Sequence, residues 1–244
     1  MPDHDLPFLH PIHFDEHGGP ISEIFDDPFF SRKNGAAEKK HVYLDGNDLP
    51  QVWAGRDEFV IGETGFGTGL IFIETLALWR ANSKRGAHLH YVTFEAYPLS
   101  REAIAECLTS WPERAKLAAE LIGALPDMWP ASGSQLVQLK DVTLEVVIGL
   151  AEVTVPNHPF MADCWFLDGH SPAKNPDMWS ADLMMAVGKH TKPSGTFAAY
   201  SAAGWVRRNL ETAGFEVTKR PGFGTKREMS RGVKLATLNT ISQE

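Results

Sequence analysis

A glycine-rich loop at residues 63–69 is the first feature of the sequence that could do chemistry. It reads ETGFGTG, follows the apolar run EFVIGE, and places Gly65 and Gly67 on either side of Phe66. Glycines here let the backbone turn sharply and approach a ligand with no side chain in between. The spacing is GxGxG, whereas dinucleotide loops need GxGxxG, and Glu63 would repel a phosphate. The loop therefore disfavours pyrophosphate and favours a ligand that carries an ammonium or sulfonium group.

Three further acids stand where apolar runs end. Glu95 ends LHYVTFEAYP, and Asp168 ends DCWFLDG. Asp141 is assigned to the turn that ends a third strand in QLVQLKDVTLEVVIG, with an antiparallel return after it as an open alternative. Open α/β sheets bind ligands at the carboxyl ends of their strands, so we expect these acids and Glu63 to line one site. Glu95 can accept both hydroxyls of a ribose, and Asp141 can accept an exocyclic amine of adenine. Each acid could instead be a helix cap or a solvated turn residue, an alternative that is strongest for Asp141.

The elements that would position these residues alternate between strand-like and helix-like segments from about residue 57 onward. This alternation predicts a parallel sheet built from βαβ units. Five parallel strands closed by an antiparallel pair, FEVTKR and GVKLATLN, predict a Rossmann-like class I methyltransferase fold with a mostly parallel seven-stranded sheet. The predicted domain covers residues 57–244, and residues 1–56 are expected to be a loop-rich extension packed on it, with HVYL as one candidate strand.

The charge of the chain is unevenly distributed. The 244 residues carry a net charge of -8, yet residues 205–234 contain eight basic and three acidic side chains. That segment is either a solvated basic face or a surface that contacts nucleic acid. No apolar run is long enough to span a membrane and no secretory leader is recognisable, which predicts a cytoplasmic protein. The histidines at 10, 13 and 17 lie in a Pro- and Gly-rich leader, and we expect no metal site there.

Several longer stretches occur together in the order typical of one enzyme family. They are ETGFGTGL, FLDG, PAKNPDMW, GWVRRNLETAGF and GFGTKREM, joined by FDDPFFSRKNG and HVYLDGNDL. Over residues 25–229 the chain resembles the methyltransferase domain of the tRNA wobble-uridine enzyme MnmC, known in stand-alone form as MnmD. The resemblance implies S-adenosylmethionine as cofactor and methylation of the amine of 5-aminomethyl-2-thiouridine in the anticodon region of tRNA. It implies no flavin oxidoreductase domain in this chain, and a separate oxidoreductase or aminomethyl-forming enzyme upstream.

The resemblance also implies roles for individual residues. Asp168 would orient the substrate amine and accept its proton, or would bind only the donor. The residues expected to bind the donor are Glu63, Gly65, Phe66, Gly67, Glu95, Asp141 and Asp168. Those expected to contact the base or the tRNA phosphates are His170, Pro172, Lys174, Asn175, Arg207, Lys226 and Arg227. No metal is required.

Two positions depart from the family pattern. Ile71 replaces the usual Asn and is expected to change packing only. His170 and Ser171 replace an aromatic residue followed by Ala, and we expect the imidazole of His170 to stack on the base; the alternative is altered substrate fit or proton handling. Three other functions stay open: a methyltransferase for a small molecule or protein, a non-catalytic RNA-binding module, and a nicotinamide dehydrogenase, which the loop spacing disfavours.

Overall fold

The structure, a computed structural model, describes residues 9–30 and 34–236. Its strands are β1 (Ile12–Phe14), β2 (Pro20–Ser22), β3 (Asp27–Pro28), β4 (Glu58–Thr64), β5 (His88–Glu95), β6 (Gly133–Gln138), β7 (Val142–Ile148), β8 (Ala162–Leu167), β9 (Thr191–Ala199), β10 (Phe215–Pro221) and β11 (Glu228–Lys234). Its α-helices are α1 (Gly35–Lys39), α2 (Leu70–Asn82), α3 (Arg101–Leu108), α4 (Ala115–Ala124), α5 (Ala151–Asn157), α6 (Ala181–Lys189) and α7 (Gly204–Thr212).

Eight strands form the central sheet in the order β10-β11-β9-β8-β4-β5-β7-β6. The strands β9, β8, β4, β5 and β7 are parallel neighbours. At one side β11 pairs antiparallel with β9 and with β10, and at the other side β6 pairs antiparallel with β7. The predicted α/β class and mostly parallel sheet are confirmed. The predicted strand number of seven is wrong, because β6 is a separate antiparallel edge strand that precedes the third parallel strand.

The chain reverses its direction of travel across the sheet at β4, which has β5 on one side and β8 on the other. Such a switch point opens a crevice at the carboxyl ends of the flanking strands, where α/β proteins bind ligands. All six residues of β8 are buried, as expected for a central strand covered on both faces. Gly62 in β4 lies against Trp165 in β8, and a Cβ at Gly62 would come within 2.7 Å of that indole. The two strands that flank the crevice are therefore closely packed.

The segment HVYL does not form the strand that its β-branched and aromatic residues suggest. Residues Lys40–Leu44 instead form a π-helical turn that continues α1. Val42, Tyr43 and Leu44 are all buried in the main core cluster. Three successive buried side chains suit a helical turn enclosed by the core better than a strand with one solvated face. Lys39 and Tyr43 are four residues apart, so the helical turn places them on the same side. Both side chains can therefore reach the same point on the sheet.

The closing hairpin is confirmed, with a shift in its second strand. β10 and β11 pair from Phe215–Lys234 at one end to Pro221–Glu228 at the turn. β11 thus begins four residues before the predicted stretch GVKLATLN. Residues 237–239 of that stretch lie outside the described residues. Residues 31–33 of the motif FDDPFFSRKNG also lie outside them. Within the described ranges no helix is long and apolar enough to cross a bilayer.

Candidate active site

Two clefts open at the carboxyl ends of the parallel strands and meet at Asp168. The first cleft is lined by the glycine loop, the start of α2, the ends of β5, β7 and β8, and part of the N-terminal segment; its lining includes Gly65, Phe66, Gly67, Ile71, Glu95, Leu150, Glu152, Asp168, His170 and Asn175. The second cleft lies between the N-terminal segment and the β10–β11 turn; its lining includes Asp27, Glu38, Lys39, Tyr43, Asp168, Tyr200, Phe223 and Lys226. Lys39, Asp168 and Gly169 line both.

The glycine loop forms the floor of the first cleft. Gly65 and Gly67 have φ angles of +83° and +51°, in the left-handed region that favours glycine. The N–H of Gly67 donates to Oε2 of Glu95 at 2.9 Å, which ties the loop to the end of β5. A Cβ at Gly65 would meet only the backbone of Gly169, at 3.8 Å, so the space above the loop is open. A ligand can therefore approach this backbone closely.

Glu95 is held in place by the backbone around it. Its Oε2 accepts from Gly67, and its Oε1 accepts from the N–H of Tyr97, both at 2.9 Å. Burial raises the pKa of Glu95 above its ordinary value, and these backbone donors oppose the shift. A carboxylate oriented in this way keeps lone pairs for further donors, such as the hydroxyls of a ribose.

Glu63 lies beneath the loop rather than on the surface of the first cleft. It is 1% exposed. Burial raises the pKa of Glu63 to about 8, against the opposing influence of Thr93 and Tyr91. Its Oε2 nevertheless makes no hydrogen bond of ordinary geometry within the described part of the chain. Burial therefore opposes the full negative charge at Glu63 that the sequence suggested.

Asp168 stands immediately after β8, where the clefts meet. Its Oδ1 accepts from the hydroxyl of Tyr43 at 2.6 Å, and its Oδ2 accepts from Nζ of Lys39 at 2.5 Å. The hydroxyl of Thr64 donates to the backbone oxygen of Asp168 at 2.8 Å and fixes the chain there. Burial and the neighbouring Asp168 raise the pKa of Tyr43 well above its usual value, so Tyr43 remains a donor. A carboxylate offers about four acceptor positions, so about two remain for a substrate.

The predicted placement of Asp141 in the donor site is wrong. Asp141 precedes β7, which is the parallel strand, and follows β6, which runs the other way. It therefore lies at the amino end of β7, the edge of the sheet opposite the clefts, where it accepts from Nε and Nη2 of Arg80 at 3.0 and 2.9 Å. The expected position is taken by the turn after β7 and the start of α5, where Leu150 and Glu152 line the first cleft.

His170 and Ile71, which depart from the family pattern, both line the first cleft. The imidazole of His170 stacks on Phe25, with ring centroids 4.5 Å apart, and its Nδ1 lies 3.3 Å from Asp27. Burial lowers the pKa of His170, opposed by Asp27, which favours a neutral ring. One face of that ring is already covered, so only the other could stack on a base. Ile71 lines the cleft and also packs in the core cluster.

The remaining predicted contact residues are dispersed. Asn175 lines the first cleft, whereas Pro172, Lys174, Arg207 and Arg227 line neither of the two clefts. Lys174 lies 3.6 Å from Asp26 and 3.5 Å from Asp27.

The basic segment is partly neutralised by acids of the protein itself. Lys226 lines the second cleft, but its Nζ lies 2.8 Å from Glu38. Lys219 pairs with Glu228, and Arg231 with Asp48. Arg227 lies on the exposed β10–β11 turn and forms no ion pair with another described residue.

Sequence reasoning missed Lys39, Tyr43 and Tyr200. The only local signal for the first two is their spacing of four residues in a segment that lies far from Asp168 along the chain. Tyr200 follows β9 and lines the second cleft, and its buried hydroxyl has no hydrogen-bond partner among the described residues. A buried hydroxyl without such a partner marks a position where a ligand or an ordered water could complete the hydrogen bonding.

Comparison with known proteins finds one protein family and several curated relatives that match this chain. A family described as S-adenosyl-L-methionine-dependent methyltransferase matches residues 112–235, half of the chain. The bifunctional protein MnmC for tRNA 5-methylaminomethyl-2-thiouridine biosynthesis from Aromatoleum aromaticum is 42% identical over 90% of this chain and 34% of its own length. The protein of the same name from Caulobacter sp. is 39% identical over 93% of this chain and 39% of its own length. The chain thus spans little more than a third of these relatives.

Solved structures show the same fold. MnmC2 from Aquifex aeolicus superposes with a TM-score of 0.71 at 23% identity, covering 92% of this chain and 70% of that one. Trm1 from Pyrococcus horikoshii, in complex with S-adenosyl-L-methionine, gives a TM-score of 0.50 at 9% identity over 85% of this chain and 57% of its own. Both likenesses concern the fold alone, a Rossmann-like methyltransferase sheet.

The first cleft fits the donor that this family uses. The open backbone above Gly65 leaves room for a ligand, Glu95 is oriented to accept from hydroxyls, and Phe66, Ile71 and Leu150 supply apolar surface for a base. The family match, the order of the strands and this cleft agree, and the chain belongs to the S-adenosyl-L-methionine-dependent methyltransferases.

Proposed function

We propose that the protein transfers the methyl group of S-adenosylmethionine to the primary amine of wobble 5-aminomethyl-2-thiouridine in tRNA, giving 5-methylaminomethyl-2-thiouridine. The observation that carries the proposal is the meeting of the two clefts at Asp168, which puts one carboxylate within reach of a donor and of a second ligand. The nature of that second ligand is suggested by the relatives, which are named for the biosynthesis of this nucleoside. A tRNA substrate would place the reaction in the cytoplasm.

The first cleft would hold the donor. Glu95 would accept the ribose hydroxyls, and the backbone at Gly65 would lie against the donor without an intervening side chain. When bound, S-adenosylmethionine supplies a methyl group on a positively charged sulfur. The role of the protein is to hold that methyl group at the junction of the clefts, next to Asp168.

The second cleft would receive the wobble nucleotide. An aliphatic amine with a pKa near that of lysine is protonated at pH 7, and freeing its lone pair costs about 4–5 kcal/mol. Asp168 would accept a hydrogen bond from the neutral amine through one of its remaining lone pairs and direct the nitrogen lone pair toward the first cleft. Tyr200, with its uncommitted hydroxyl, and Phe223 would line the path of the base.

The test is incubation of the protein with labelled donor and tRNA from cells that stop at the aminomethyl stage, followed by nucleoside analysis. We expect label in 5-methylaminomethyl-2-thiouridine and none in tRNA whose wobble uridine lacks the aminomethyl group. Transfer of label to a protein or small molecule without tRNA would contradict the proposal and would favour a methyltransferase with another substrate.

The amine itself must come from a separate reaction, catalysed by a flavin oxidoreductase or by an enzyme that forms the aminomethyl group directly.

Donor affinity is expected to depend on pH through Glu95. Because burial raises the pKa of Glu95 in the free protein, and ribose hydroxyls favour the ionised acceptor, donor affinity should fall as the pH falls through that pKa. Glu95→Gln should weaken donor binding by about 1.5–3 kcal/mol and remove this pH dependence. Calorimetric titration with S-adenosylmethionine between pH 4.5 and pH 8 measures both effects. Glu152→Gln, at an acid of the same cleft, is the control and should keep the pH dependence. A parent affinity that does not change with pH would contradict the role of Glu95.

Binding of tRNA is expected to depend on Arg227. The turn that carries it borders the second cleft, and its guanidinium is exposed. Arg227→Glu should weaken tRNA binding and lower the slope of log affinity against log salt by about 1. Arg85→Glu is the matched control, because Arg85 is also exposed but lies in the turn before β5, at the opposite edge of the sheet. Equal salt slopes for Arg227→Glu and Arg85→Glu would contradict a role of Arg227 in tRNA binding and would indicate that the basic segment is a solvated face.

A further inference from the structure

Three carboxylates that line the second cleft lie within ion-pair distance of lysines of the protein. Asp168 is 2.5 Å from Lys39, and Glu38 is 2.8 Å from Lys226. Asp27 is 3.5 Å from Lys174. These three acids therefore do not offer free negative charge to a ligand, although an amine substrate is a cation at neutral pH.

The pair at the junction of the clefts is the most enclosed of the three. The side chains of Lys39 and Asp168 are 12% and 15% exposed, against 48% for Lys226 and 38% for Lys174. The Nζ of Lys39 also lies 5.4 Å from the centroid of the Tyr43 ring, which helps to hold the ammonium in place. Any nitrogen that approaches Asp168 from the second cleft meets an ammonium that is already bound to the same carboxylate.

We propose that Lys39 is a specificity-determining residue, which makes Asp168 accept the substrate amine in its neutral form and exclude its ammonium form. The inference rests on the proposed function and deepens it. Two ammonium groups that share one carboxylate repel each other, and the repulsion is screened little in an enclosed site. A neutral amine is not repelled, and it can donate an N–H hydrogen bond to a lone pair of Asp168 that Lys39 and Tyr43 leave free.

The proton and charge balance follows from this selection. The ammonium gives its proton to solvent water or buffer before it enters the second cleft. The nitrogen lone pair then forms the bond to the methyl carbon as the bond from that carbon to sulfur breaks. The sulfur becomes a neutral thioether, and the nitrogen becomes a secondary ammonium with two protons. One positive charge thus moves from the first cleft to the second, and the step itself needs no base.

The experiment isolates the contribution of the amine to binding. Two anticodon stem-loops that differ only in the presence of the aminomethyl group on the wobble base are titrated against the protein saturated with S-adenosylhomocysteine, at pH 6.0 and pH 8.5. The quantity compared is the ratio of the two affinities. In the parent this ratio should rise by about tenfold or more from pH 6.0 to pH 8.5, because the neutral fraction of the amine increases over that range.

Substitutions at Lys39 give the decisive comparison. Lys39→Met should raise the ratio at pH 6.0 by about tenfold over the parent, because the ammonium can now pair with Asp168. Its ratio should no longer rise with pH, whereas Lys39→Arg keeps the cation and should behave like the parent. Lys226→Met, at the other lysine of the cleft, should weaken both stem-loops alike and leave the ratio unchanged. Ionisation of the wobble base affects the parent and the variants equally, because they bind the same RNA, so it cancels when their ratios are compared.

Two results would overturn the inference. One is a parent ratio that is the same at both pH values, which tests the idea even if Lys39→Met fails to fold. The other is a Lys39→Met ratio that still rises with pH as in the parent. A parent that methylates the aminomethyl stem-loop at pH 8.5 but gives either result would contradict the role of Lys39 alone. A parent that does not methylate it would contradict the proposed function.

Discussion

Asp168→Asn is expected to lower turnover by about 10²–10⁴ and to change donor affinity by much less. Asparagine keeps the shape of the side chain, but its amide has one acceptor oxygen instead of two and carries no charge, so it cannot serve Tyr43, Lys39 and a substrate amine together. The substitution also leaves the ammonium of Lys39, only 12% exposed, without its counter-charge. Single-turnover methylation of tRNA with labelled donor measures the rate, and calorimetry measures donor affinity.

Asp141→Asn is the matched control for this experiment. It makes the same chemical change at an aspartate that pairs with Arg80 at the opposite edge of the sheet, so turnover should stay within about twofold of the parent. If Asp168→Asn loses donor affinity and turnover to the same extent, Asp168 is a donor ligand, and the amine must be oriented by another group, for which Tyr200 in the second cleft is a candidate.

Gly65→Val is expected to weaken binding of S-adenosylmethionine by about 10²-fold, which corresponds to about 2.7 kcal/mol. The open space above Gly65 is the space that the donor would fill, and a branched side chain would occupy it. Valine also disfavours the φ of +83° found at Gly65, so the loop itself should shift. Calorimetric titration of the folded variant with the donor measures the loss.

Gly86→Val separates the loss of space from the backbone strain. Gly86 has a φ of +85°, nearly that of Gly65, and a Cβ there would have no neighbour within 4 Å. Both variants should lower the melting temperature by similar amounts, but Gly86→Val should bind the donor like the parent. Equal donor affinities in Gly65→Val and Gly86→Val would show that the donor does not lie against the loop.

The parts of the site that could be predicted from the sequence are those defined by local pattern. A glycine loop between an apolar strand and a helix leaves few conformations open, and Glu95 and Asp168 directly follow or end strands whose apolar runs are unambiguous. Asp141 could not be placed correctly because it lies between β6 and β7, which are adjacent in the chain and each contain apolar residues, so the sequence does not reveal which of the two pairs with β5.

Lys39 and Tyr43 could not be predicted for a different reason. Their contacts with Asp168 join residues 129 and 125 positions apart, and no periodicity in a single sequence reports such a pairing. The short segment around them also has the composition of a strand, and only its enclosure by the core makes it helical.

The contact between Lys39 and Asp168 has a consequence for the end of the catalytic cycle. Under the proposed reaction, the product nitrogen acquires its positive charge beside an ammonium that is fixed 2.5 Å from Asp168, the carboxylate at which the two clefts meet. Like charges in an enclosed site favour departure, so the modified nucleotide would be expelled by the electrostatics of its own formation. The same repulsion would oppose rebinding of the secondary ammonium until it gives a proton to solvent.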